Sequence, residues 1–406
     1  MNFKQCDKGV CASKGFTAAG IHCGVRKNKD KKDLALIYCD VLCDAAAMYT
    51  QNKVAGAPII VTKKHLEGKK AQAVIANSGN ANTCNADGEQ NAQLMSDSCA
   101  KVMGISPKHV IVASTGVIGQ PLNMPPILDG MAPLKDALSE NGSEDAANAI
   151  MTTDTKLKEI ALEFKIGGKT CHVGGIAKGS GMIHPNMATM LCFLTTDVSI
   201  DGDLLQKALK EVVDVTFNMV SVDGDTSTND MVSIMASGLA ENQRITECGE
   251  DYEIFKTALY EMLLYLSRAI AKDGEGATKL LECKVEGADD LMTARKIAKS
   301  VITSSLFKAA MFGKDANWGR ILCAIGYTDA QFDITKVAVS LKSEFGEVDV
   351  CKNGAGVDFS EEKALEVLQS DEITIHINMN SGNYDATAWG CDLTYDYVKI
   401  NGDYRT

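Results

Sequence analysis

The sequence predicts an α/β (α+β) protein: a layered sandwich of sheets and helices around an N-terminal-nucleophile-like site, with a smaller α+β lobe at the C-terminal end. Three observations carry this. Short apolar runs that fit buried strands alternate with longer stretches of helical periodicity. The last quarter alternates like strands around one helical stretch. One string, GIAKGSGMIHPNMATML from Gly175 to Leu191, passes from a glycine-rich turn through a proline to a small residue, a threonine and the apolar run Met190–Leu194.

Taken in order, residues 15–26 (GFTAAGIHCGVR) read as a small-residue turn region. Asp33 to Cys39 and Ala57 to Thr62 read as buried strands, and Ala73 to Ala76 begins another. That strand runs into NSGNANTCNADG, Asn77 to Gly88, where the density of Asn and Gly reads as a loop. A helix is expected from about Gln90 to Met103, then the strand His109 to Ala113 and a turn at Ser114-Thr115-Gly116. Two helical stretches occupy 125–150 and stop at the polar cluster Thr152-Thr153-Asp154-Thr155. Past Thr189 come a strand, a turn at Asp197 to Asp201 and a helix from about Gly202 to Val215.

The clearest helix is 251–272, where Phe255, Leu259, Met262, Leu266 and Ile270 recur at three- and four-residue spacing. Asp273-Gly274-Glu275-Gly276 stops it. A further helix spans about Asp289 to Ser304, and Asn317-Trp318-Gly319-Arg320 opens a strand from Ile321 to Gly326. Strands at 337–341, 372–378 and 392–400, with a helix at 361–369, make the C-terminal lobe, placed at about 280–406.

Composition narrows the class. A chain of 406 residues can bury two or three cores, and 45% hydrophobic with 23% charged residues is ordinary for a globular protein. A net charge of −12 argues against nucleic acid or anionic membrane as a partner, so an acidic substrate would need a locally basic pocket. The 14 cysteines include no CxxC pair and show no metal-ligand spacing with the six histidines. The start lacks the apolar segment of a secretory signal, and no run of about 20 apolar residues could span a bilayer. Reduced cysteines in a cytoplasmic enzyme follow as the expectation. In SVDGDTSTND, Ser221 to Asp230, the aspartate spacing lacks the glycine and distal glutamate of a calcium loop, so no metal is expected there.

The chemistry of the central string is specific. A threonine hydroxyl is a weak nucleophile and needs a base. Cutting the Ala188–Thr189 bond would free an α-amine titrating near pH ~8, which is that base. Ala188 leaves its carbonyl open to attack by the Thr189 hydroxyl, and the apolar run after Thr189 reads as a buried strand that would hold the new terminus. A Thr at the start of a buried strand is ordinarily only a strand residue. The whole string decides otherwise.

From Lys178 to Leu191 this string closely resembles the processing site of the glutamate N-acetyltransferase family, also called ornithine acetyltransferase, of arginine biosynthesis. His184 stands at its variable position. NSGNAN from Asn77, DGEGATK from Asp273, the Asn317–Arg320 string and the terminal WGCDLTYDYVKINGDYRT are also similar to the family, with Gly402 where alanine is expected. The resemblance implies self-cleavage into an α chain, 1–188, and a β chain, 189–406. It implies ping-pong transfer of acetyl from N2-acetylornithine to glutamate on Thr189. Thr115 and Gly116 would form the oxyanion hole. Lys178, Thr189, Glu275, Asn401, Thr406 and one of Thr152 or Thr153 would contact substrate. Thr-Gly turns and surface lysines are usually no more than that, so these roles rest on the resemblance. No cofactor is implied, while acetyl-CoA stays open as a co-substrate because some members use it and no CoA signature is readable. An α2β2 heterotetramer is the assembly implied.

Two rivals stand beside this reading. An N-terminal-nucleophile amidase or aminopeptidase would share the cut but hydrolyse its acyl-enzyme. A phosphate-binding protein would use GGIAKGSG as an anion loop, although Lys178 precedes the Gly-Ser and breaks the P-loop order.

Overall fold

Alternation within the apolar runs builds the main sheet. The computed structural model describes residues 3–184 and 190–403. In chain order the elements begin with β1 (Lys4–Cys6), β2 (Phe16–Ile21), β3 (Leu34–Tyr49), α1 (Ala57–His65), β4 (Lys70–Asn80), α2 (Gly88–Met103) and β5 (Val110–Val117). They continue with α3 (Met124–Asp136), α4 (Ser143–Ile150), β6 (Lys158–Ile166), β7 (Lys169–Lys178), β8 (Leu191–Thr196) and α5 (Gly202–Val213). Next come β9 (Val220–Ser221), β10 (Met231–Ala236), α6 (Glu250–Lys272), β11 (Leu280–Ala288), α7 (Leu291–Thr303), α8 (Ser305–Phe312) and α9 (Trp318–Gly326). The last are β12 (Ala338–Ser343), β13 (Gly346–Lys352), β14 (Ala355–Gly356), α10 (Glu361–Val367), β15 (Glu372–Asn378), β16 (Tyr384–Cys391) and α11 (Tyr395–Gly402).

The chain divides into two units. The first takes its described residues from Met1–Gly179, Pro185–Asp214 and Thr226–Leu266. Its sheet has the order β1-β6-β7-β8-β10-β3-β4-β5, with β2 paired to β3. The pairs β8–β10 and β4–β5 are parallel and the others antiparallel. Side chains two apart in a strand share a face. Leu34, Leu36, Ile75, Val110 and Val112 therefore meet Met95, Cys99, Ile127 and Met131 of α2 and α3 on one face. Ile37, Val74, Ile111, Ile176, Phe193 and Met235 meet Ala146 and Ile150 of α4 on the other. Each such side chain taken fully from water contributes about 1.5–3 kcal/mol. In β8 all six residues are buried, so both faces of this strand, which lies between β7 and β10, are covered.

The second unit takes Ser180–His184, Val215–Asp225 and Ser267–Thr406. Its sheet has the order β14-β13-β12-β15-β11-β16-β9. α7 lies against β11 and β16 through Ala294, Ile297, Ala298 and Val301, all fully buried. All 14 cysteines are free thiols.

Several elements differ from expectation. Ala57–Thr62, rich in β-branched residues, is helix α1: Pro58 sits at its first turn, where a proline fits, and the helix buries Ile59, Val61 and Thr62. Ile321–Gly326 lies in helix α9, started by the Asn317 side chain accepting from the Arg320 N–H. The expected strand at 392–400 is instead a short connection after β16 followed by helix α11. Residues 16–21 form strand β2, and the glycine-rich Gly174–Lys178 lies within β7. Asn77–Asn80 belongs to β4, so the loop starts later than its composition implied.

Candidate active site

The candidate residues fall into two groups, one in each unit. In the first unit, β4 and β5 run parallel, with Ser78 beside Thr115 and Gly79 beside Gly116. Gly116 has φ +134°, and a Cβ there would strike the Gly79 carbonyl and the Asn80 nitrogen. Glycine is therefore required. Two asparagines, one upstream and one far downstream in sequence, brace this corner. Asn77 Oδ1 accepts from the Ser114 hydroxyl at 2.6 Å, and Asn229 Nδ2 donates to the Ala81 and Ser114 carbonyls. Thr115 thus lies near the end of a braced strand, and the Ser114-Thr115-Gly116 segment is part of β5 rather than a separate turn.

Lys178, last residue of β7, is buried, and its Nζ donates to Thr115 Oγ1 at 3.2 Å. Across the antiparallel pair it faces Leu191. Met190 is buried, and its carbonyl accepts from the Met231 N–H at 2.9 Å. The two residues that follow Thr189 in sequence are therefore fixed in the sheet. Ala188 and Thr189 themselves, with Pro185 to Met187, lie outside the described residues.

A buried carboxylate that sequence reasoning assigned no role organises this corner. Asp154 Oδ1 accepts from Lys158 Nζ at 2.8 Å and from the Gly179 N–H at 2.7 Å. Its Oδ2 accepts from the Thr152 N–H at 3.0 Å. Both charged side chains are sealed, at 0% and 1% exposure, so this is a fully desolvated ion pair. Burial alone would push the Asp154 carboxyl up; the positive charges of Lys158 and Lys178 and the hydrogen bonds outweigh it and hold it well below the usual range. Burial pushes Lys178 down, while the Asp154 charge pulls it back. Arg26 Nη2 donates to the Met151 carbonyl at 2.5 Å and steadies the loop carrying Thr152 and Thr153. Nothing in the geometry chooses between those two threonines. No local sequence signal marked Asp154: Thr152 and Lys158 lie within four residues of it, but Gly179 reaches it from 25 residues on.

In the second unit, Glu275 follows α6 on the turn at 273–276 and is buried. Its N–H donates to the Ser180 carbonyl at 3.0 Å, and a Cβ on Gly181 would strike its carboxylate. Asn401 of α11 donates from Nδ2 to Glu275 Oε2 at 2.7 Å, joining two predicted substrate residues directly. Asp223 accepts from the N–H groups of Met182 and Ile183 at 2.6 and 2.8 Å and from the Tyr397 hydroxyl at 3.3 Å. Asp223 and Tyr397 went unnoticed in the sequence, where Asp223 was considered only as a calcium ligand. His184 Nδ1 lies 3.1 Å from Ser221 Oγ. Burial, with the Lys299 charge nearby, lowers its ring to about 4, so it is neutral at pH 7. Thr406 lies outside the described residues.

Chemically, the first group supplies a hydroxyl, a strand-end amide and a buried cation, the donors an acyl-transfer oxyanion needs. The second supplies a buried carboxylate and an amide side chain. Gly174–Lys178 forms ladder pairs with β6 and β8, which leaves no glycine loop there to cradle a phosphate. Among the described residues no group of His, Cys, Asp and Glu could hold a metal ion, and no helix is long and apolar enough to cross a membrane.

A model of the ArgJ family matches residues 17–406. The chain is 50% identical over 392 residues to the arginine biosynthesis bifunctional protein ArgJ 1 of Clostridium acetobutylicum, covering 96% of both chains. It is 50% identical over 399 residues to the arginine biosynthesis bifunctional protein ArgJ of Bacillus subtilis, covering 98% of this chain and 96% of that one. The crystal structure of the arginine biosynthesis bifunctional protein argJ from Bacillus halodurans matches with a TM-score of 0.50 at 46% identity. That match covers 52% of this chain and 97% of the other.

Proposed function

Because the chain belongs to the ArgJ family and is an acetyltransferase of arginine biosynthesis, we propose that it moves acetyl from N2-acetylornithine to glutamate through an acetyl ester on Thr189. The nucleophile is first made by the protein. Thr189 Oγ attacks the Ala188 carbonyl, the peptide shifts to an ester, and one water hydrolyses it to an Ala188 carboxylate and a Thr189 α-amine. That amine then takes the hydroxyl proton as Oγ attacks the acetyl carbonyl. Thr115 and the Gly116 amide hold the oxyanion, the proton passes to the leaving amine, and ornithine departs. The glutamate amine attacks the ester and leaves as N-acetylglutamate, restoring the threonine.

The observation that carries this reading is the bond from Lys178 to Thr115 beside the strand pair Lys178–Leu191. It joins the predicted oxyanion threonine to the strand that starts two residues after Thr189. Lys178, Glu275, Asn401, Thr406 and one of Thr152 or Thr153 are the substrate contacts in this reading. No cofactor takes part, and acetyl-CoA is a second donor to be assayed. The two chains stay together, pair into an α2β2 heterotetramer and work in the cytoplasm.

The test is Thr189→Ala assayed with N2-acetylornithine and glutamate. The expected product is one uncut chain without transfer activity, with Thr189→Ser keeping part of both. A cut and active Thr189→Ala enzyme would sink the mechanism. Acetate released without any need for glutamate would favour the amidase reading.

A further inference from the structure

We propose that Asp154 is a positioning residue that sets the place of Lys178 and of the Thr152–Thr153 loop through one ionised carboxylate, with Lys158 as its fixed counter-charge. The inference rests on the acetyl-transfer reading and names a group that reading leaves unused. Three stretches of chain end on this side chain: the loop after α4 through the Thr152 N–H, the start of β6 through Lys158 Nζ, and the end of β7 through the Gly179 N–H. Gly179 directly follows Lys178, whose Nζ reaches Thr115 Oγ1. One carboxylate therefore sets both the loop that holds a substrate threonine and the lysine bonded to the oxyanion threonine. Its acceptor sites face N–H donors and an ammonium group, and the side chain is sealed from water. It accepts no proton near neutral pH, so its work is to hold geometry and charge.

The charge matters as much as the hydrogen bonds. Four groups act on the Lys178 ammonium: Asp154 after α4 and Asp230 before β10 favour the charged form, while Lys158 of β6 and Arg26 after β2 oppose it. Burial opposes it further. Lys178 must stay protonated to bring a positive charge to a developing oxyanion. Removing the anion that acts on it most strongly lowers the pH at which Lys178 loses its proton, so the alkaline limb of the activity profile moves to lower pH.

The experiment compares pH profiles of acetyl transfer for the cut enzyme and four variants. Asp154→Asn keeps the shape and loses the charge. Asp154→Glu keeps the charge and alters the reach. Lys158→Met removes the counter-charge. Asp154→Asn/Lys158→Met removes both, which leaves no unpaired buried charge and keeps the fold testable. The expected result is a fall in kcat/KM of at least about tenfold for Asp154→Asn and the double variant, with the alkaline limb lowered by about one pH unit or more in Asp154→Asn and by less in the double variant, where loss of the opposing Lys158 charge offsets part of the shift. Asp154→Glu should lose activity without moving that limb. A folded Asp154→Asn variant whose limb stays in place overturns the charge role, and wild-type kcat/KM in Asp154→Asn and the double variant overturns the proposal entirely. Failure of the Thr189 reading would show separately, as an active Thr189→Ala enzyme.

Discussion

Gly116 shows how single residues decide this site. Its φ of +134° and the backbone of Gly79 and Asn80 leave no room for a methyl group. Gly116→Ala should cost about 1–3 kcal/mol in strain, measurable by urea denaturation, and should displace the amide proposed to face the oxyanion. Transfer should fall by about 100-fold or more, the scale of losing one oxyanion donor. Asn401→Ala removes the hydrogen bond to Glu275 Oε2, so KM should rise while the self-cut proceeds at its normal rate. Thr115, Gly116 and Lys178 were singled out only through the family resemblance of the strings that hold them. Asp154, Asp223 and Tyr397 were not, since each takes a partner from a distant segment, and Lys158 acts through Asp154. Asp154 lay in plain view within Thr152–Thr155, yet nothing local separated it from a helix-stop aspartate.

At the scale of elements, periodic helices were legible and short apolar runs were not. In α6, Phe255, Leu259, Met262, Leu266 and Ile270 are at most 1% exposed, and β15 has the ends read from its alternation. Ala57–Thr62 and Ile321–Gly326 show the limit. Both are brief apolar segments whose type was set by a helix start, at Pro58 and Asn317, and by packing. β8 is the element on which the account leans. Phe193→Ala in that strand should cost about 3–5 kcal/mol in urea denaturation. β7 also carries a pH-dependent tie: His172 Nδ1 lies 2.8 Å from Asp197 Oδ2, and that hydrogen bond raises the ring above its usual value. The stabilisation is full below pH ~6.5, the unfolded value, and is lost as pH rises through the higher folded value. His172→Ala should flatten that decline in a series of thermal melts.

At the scale of the whole molecule, the net charge of −12 does not exclude a locally basic corner. Buried Lys158 and Lys178 and the half-buried Arg26 gather in one corner of the first unit. The layered α/β class was legible from alternation of strand and helix patterns. The strand order β7-β8-β10-β3 was not, because it places residues far apart in sequence side by side. That order also bears on the fate of a cut chain: β8 pairs with β7 on one side and β10 on the other. A cut before Thr189 would leave two chains joined by a full sheet, so they should elute together under native conditions. The most direct measurement is the intact mass of the purified protein after denaturation. The account predicts two species, 1–188 and 189–406, the second gaining one acetyl group when N2-acetylornithine is added without glutamate. A single full-length species that persists through overnight incubation, in a preparation that still transfers acetyl, would contradict it.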